Sequence, residues 1–115
     1  MTPLPASAIH DWHAHVYFDR HTVPAAQALR LEILRAFDDL ELGRFHQRPV
    51  GPHPMWSYQV AFGPNLFPTL VPWLALNRGA LVVLVHPNTG KALEDHRDRA
   101  LWLGAGLPLA LGILS

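Results

Sequence analysis

The chain contains no cysteine. That excludes a disulfide framework, thiolate metal ligands and a cysteine nucleophile. It also lacks an excess of either charge, since nine Lys and Arg balance nine Asp and Glu. A neutral chain has no basic field to hold nucleic acid or an anionic membrane surface, so neither is an expected partner. Long hydrophobic runs are missing too. The most apolar stretch, LGAGLPLALGILS, is too short to span a bilayer and is broken by Pro108. The opening MTPLPASAIHDWH has no basic stretch leading into an apolar one, so no secretory leader is read there and a cytoplasmic location is expected. No glycine-rich phosphate loop and no G-x-S-x-G elbow occur.

What the chain does have is apolar material, histidine and proline. Of its 115 residues, 50% are hydrophobic, which suits one folded domain over 1–115 with a core of its own. Eight histidines and eleven prolines are the compositional surplus. Imidazole is the commonest protein metal ligand and the natural proton carrier near neutrality.

Periodicity places the elements. HAHVYFD alternates, predicting a strand over 13–18 with Ala14, Val16 and Phe18 on one face and His13, His15 and Tyr17 on the other. HTVPAAQALRLEILRAFDDLELG predicts a helix capped at Thr22, striped by Ala26, Leu29, Ile33, Phe37 and Leu40, and stopped at Gly43. A proline-flanked edge strand is expected near 44–49. MWSYQVAFG alternates again, with Tyr58, Val60 and Phe62 opposed to Ser57, Gln59 and Ala61. A proline-interrupted helix follows over 65–77, then the β-branched run ALVVLVHP, then a third helix over 91–103. This order predicts an α+β, ferredoxin-like βαββαβ fold, a mainly antiparallel sheet with both main helices on one face. The other face needs cover, for which a second copy in a homodimer is expected.

In the expected sheet the order is fourth, first, third, second, with the first and third strands side by side and parallel. The starts of those two strands and the end of the fourth would then share one edge. That edge would gather His13, His15, His53 and His86. Ser57 and Gln59 would form a polar base, with Tyr17 and Trp56 as aromatic walls, and the segment EDHRDR could add His96. The prolines after His53 and His86 restrict the backbone before them and so the direction of each ring. His10, His21 and His46 read as surface residues. Three neutral imidazoles, or two with a carboxylate, bind a divalent first-row metal and leave positions open. Zinc there would support hydrolysis or hydration; iron(II) would support oxygen chemistry.

At HAHVYFD, GPHPMWSYQVAF and HPNTGKALEDHRDRALWLG the chain resembles the DOPA 4,5-dioxygenase family, over about His13 to Gly104. The resemblance implies a dimeric αβ-barrel protein and an extradiol dioxygenase that opens the ring of L-DOPA or a related catechol with O2. The implied cofactor is non-haem Fe(II), with Zn as the alternative metal, and the implied partners are a small-molecule catechol and O2. Carried onto this chain, it gives the metal to His15, His53 and His86, with His13 competing for a place. His13 and His96 are the acid–base candidates. Tyr17, Trp56, Gln59 and Arg97 are the candidate substrate contacts, Arg97 through a bidentate hold on a carboxylate. Two other readings fit the same histidines: a zinc-dependent hydrolase or lyase, and a non-enzymatic dimeric module holding a metal or small ligand.

Overall fold

In the computed structural model, which describes residues 2–115, the chain runs β1 (Asp11–Phe18), α1 (Val23–Ala36), β2 (Leu40–Leu42), β3 (Trp56–Phe62), α2 (Phe67–Asn77), β4 (Val82–Asn88), α3 (Ala92–Arg97) and β5 (Leu101–Leu103). The sheet order is β2-β3-β1-β4-β5 and every pairing is antiparallel. This is the expected strand order with one strand added at an edge. Alternation builds the core as the spacing requires. Ala14, Val16 and Phe18 of β1, Tyr58 and Val60 of β3, and Val83 and Val85 of β4 are buried on one face. Ala26, Leu29 and Ile33 of α1 and Leu70 and Leu74 of α2 close over them.

Four expectations need correction. First, β1 and β3 are antiparallel, with His15 opposite Gln59 and Phe18 opposite Trp56. The start of β3 therefore lies at the end of β1, and the shared-edge argument for His53 does not hold. Second, α1 ends at Ala36, well short of Gly43. Phe37 turns extended, and Asp38 and Asp39, whose short side chains favour turns over helix interiors, redirect the chain. Third, the edge strand is Leu40–Leu42, with only an isolated bridge between His46 and Ser57 beyond it. Fourth, the third helix stops at Arg97, and Leu101–Leu103 becomes β5 against β4. An extended LWL segment there pairs backbone groups that β4 would otherwise leave bare at an edge.

The second sheet face is also covered, and from within the chain. His15, Tyr17, Ser57, Leu84 and His86 on that face are all less than 5% exposed. The cover includes α3, which packs on β4, and the C-terminal tail, which meets the segment before β3 through Ala110 N–H to Pro52 O at 2.8 Å. The geometric reason for expecting a second copy over this face is thereby met by the chain itself. Among the described residues no helix is long and apolar enough to cross a membrane.

Candidate metal centre

The alternation that sends Ala14 and Val16 into the helical core sends His13, His15 and Tyr17 the other way. Pairing does the rest. His13 lies directly opposite His86 in the β1–β4 ladder, and His15 follows two residues along the same face. Residues opposed in an antiparallel pair carry their Cβ atoms about 5 Å apart, close enough for two imidazoles to converge. One ring nitrogen from each of His13, His15 and His86 lies within 4.8 Å of the others. His86 and His15 are buried and His13 is half-buried, so the group is reached from the His13 side.

Hydrogen bonds set the tautomers. His86 Nδ1 is 2.9 Å from the carbonyl oxygen of Pro87, and His96 Nδ1 is 2.7 Å from that of Ala92. A carbonyl only accepts, so both Nδ1 atoms carry hydrogen and both Nε2 atoms present a lone pair. His15 Nε2 lies 3.0 Å from His86 Nε2 and is then the donor of that pair. The His96 ring centre lies 3.9 Å from that of His86, the two planes tilted by 35°, placing α3 as a wall of the cluster.

Burial governs the charge. It pushes His86 down to about 4, with the Pro87 carbonyl opposing and neighbouring imidazoles assisting. It pushes His53 down to about 4 and His15 well below the ordinary imidazole range, and nearby rings add to both shifts. His13 is lowered as well, against the pull of Asp11. All four are therefore neutral at pH 7, the form that binds a cation.

The other expected site residues divide. His53 does reach the cluster, although by another route: the segment before β3 carries its ring to 4.1 Å from that of His15. There His53 Nδ1 meets the Tyr17 hydroxyl at 2.6 Å. Gln59 lies opposite His15 on the same face. Trp56 is opposite Phe18 and packs on the helical core, away from the histidines. Arg97 is exposed and ion-paired to Asp98 at 2.8 Å. The Asp95 carboxylate is buried, which alone would raise its pKa, but hydrogen bonds from Thr89 and the guanidinium of Arg99 at 2.9 Å outweigh burial and lower it. Both its oxygens are thus engaged in tying α3 to the end of β4. Trp102, which the sequence favours as a core or interface residue, instead places its ring on the histidine face, nearly parallel to Tyr17 at 6.1 Å. Its signal was the alternation of LWL, legible only if that segment is read as a strand opposite Leu84.

A metal fits this donor set. Two imidazole nitrogens bound at about 2.1 Å and at right angles are ~3.0 Å apart, as His15 and His86 Nε2 are. The hydrogen between them needs only to move to His15 Nδ1 for both lone pairs to face one cation. Fold and cluster together define a small α+β protein with a histidine-built candidate metal centre. The family model described as the Dopa 4,5-dioxygenase family matches residues 12–113, and the chain belongs to that family. It is 39% identical to a DOPA 4,5-dioxygenase of Amanita muscaria, over 94% of this chain and 51% of that protein. It is likewise 39% identical to an uncharacterised 21.2 kDa protein of Botryotinia fuckeliana, over 97% of this chain and 67% of that one. The chain thus spans about half to two thirds of these relatives. Among solved structures, a candidate dioxygenase from Nostoc punctiforme superposes with a TM-score of 0.94 at 46% identity, covering 97% and 96% of the two chains. Family membership points to a dioxygenase.

Proposed function

We propose that this chain is an extradiol dioxygenase that opens the ring of L-DOPA or a related catechol with O2. The observation that carries the reading is the convergence of His13, His15 and His86 in a family of this name. These three residues would hold iron(II), which puts His13 in the place first given to His53. When bound, iron(II) supplies the electronic link between a catechol and O2 that spin restrictions otherwise deny them. Held by three protein groups, the metal would keep room for both reactants. The chain's own groups then bind, orient and carry protons. His96, with Nδ1 held by Ala92 O, keeps a bare Nε2 able to accept a catechol proton and return one later. Gln59 and Trp102, whose ring lies nearly parallel to the buried Tyr17, line the same face and orient an aromatic substrate. Burial of His15 and His86 keeps water from the inner side of the centre. In the balanced reaction one ring carbon–carbon bond breaks and both oxygen atoms enter the product, as a carboxylate and an aldehyde.

The test is anaerobic loading with iron(II), then L-DOPA or another catechol with O2. Oxygen uptake matched to a yellow ring-opened product is expected. No uptake across a broad catechol panel, or turnover supported by zinc and not by iron, defeats the reading.

A further inference from the structure

His53 differs from the other clustered histidines in what caps its Nδ1. His86 and His96 face carbonyl oxygens, which only accept. His53 faces a phenol, which can donate. The Tyr17 hydroxyl is 2.6 Å from His53 Nδ1, and Tyr17 is 1% exposed. Among the described residues this is the hydroxyl's only hydrogen bond. If the imidazole donated, the buried O–H would be left without an acceptor, an arrangement that costs stability. If the phenol donates, both groups are satisfied.

We propose that Tyr17 is a positioning residue that holds His53 as its Nε2–H tautomer, making His53 a hydrogen-bond donor beside the metal triad and not a fourth ligand. Nε2 lies on the ring edge away from Tyr17, and the ring itself lies against His15. A lone pair occupied by the phenol at one nitrogen and a hydrogen at the other leave His53 nothing to offer a cation. What it offers is one N–H to an acceptor oxygen of the bound substrate. This last role rests on the dioxygenase reading; the tautomer does not. The same contact explains why His53 stands outside the group whose nitrogens converge.

The experiment is imidazole 15N NMR on the metal-free protein and on the protein loaded with Zn(II), chosen because it is diamagnetic. His53 should show the Nε2–H pattern in both states, with His86 as Nδ1–H. In Tyr17→Phe, which keeps the ring that fills the space, His53 should lose its single tautomer while His86 keeps its own. A His53 protonated at Nδ1 in the wild type, or a His53 Nε2 shifted by Zn(II), overturns the proposal. His53→Ala should still bind one equivalent of metal; loss of that equivalent also overturns it. With iron(II) and a turned-over catechol, Tyr17→Phe should lower kcat about 10-fold with KM and iron content unchanged. A parallel fall in iron content overturns the positioning role. Nε2–H at His53 in a protein that consumes no oxygen with any catechol upholds the tautomer and overturns only the reaction.

Discussion

His86 concentrates the features a metal ligand needs. It is fully buried, its Nδ1–H is given to Pro87 O, and its Nε2 faces His15. Carbonyl capping of a ligand histidine fixes ring and tautomer together. His86→Ala should reduce iron affinity at least about 100-fold, read by titration with a chelator, and oxygen uptake should fall with it. Acidification should act on the same residues. His53 and His86 titrate near 4 in the fold, below the ordinary 6.5. The unfolded chain therefore takes up more protons than the folded one between these values, and folding stability must fall with pH across that window. Urea unfolding of the metal-free protein should give a lower midpoint at pH 5 than at pH 7. Equal midpoints would contradict neutral burial of these rings. At this scale the sequence was informative. The pairs His13/His15 and the isolated His53, His86 and His96 were all visible as candidates. Their tautomers were not, because a tautomer depends on which atom the fold brings to each nitrogen.

At the scale of elements, alternation was the reliable guide. β1 could be divided into a core face and a histidine face residue by residue, since side chains on a strand alternate whatever it pairs with. Direction was less accessible. A parallel β1–β3 pair and an antiparallel one share the same alternation, so the spacing could not reveal that the start of β3 lies by Phe18. The stripe Leu29, Ile33, Phe37 likewise continued past the true end of α1, because apolar periodicity does not register the Asp38–Asp39 turn. The shortest of the three α-helices is α3, and Asp95 anchors it through Thr89 and Arg99. Asp95→Ala should destabilise the protein by about 2–3 kcal/mol, the cost of stranding buried partners, measured by urea unfolding. With His96 carried by α3, kcat should fall while bound iron persists. Unchanged kcat would separate His96 from the chemistry.

For the whole molecule, the core and the site occupy opposite faces of one sheet. The core cluster draws on β1, β3, β4 and both long helices, and no residue after Leu103 belongs to it. The tail instead closes on the segment that carries His53. A chain ending at Gly104 should therefore keep its far-ultraviolet circular dichroism. It should release iron to a chelator faster than the full chain, because the histidine face loses part of its cover. Collapse of the dichroism signal would show that the tail is part of the fold's foundation.

The sequence by itself determined which side chains share a strand face and which chemistry they carry, because alternation and residue type are local properties of the covalent chain. Only the tertiary structure decided which strand lies beside which and in what direction, and so why His13 faces His86 while His53 arrives by way of a folded-back segment. It also decided the closing of the second face by α3 and the tail. Those choices come from distant parts of the chain burying one another, and no short stretch of residues contains the contacts that settle them.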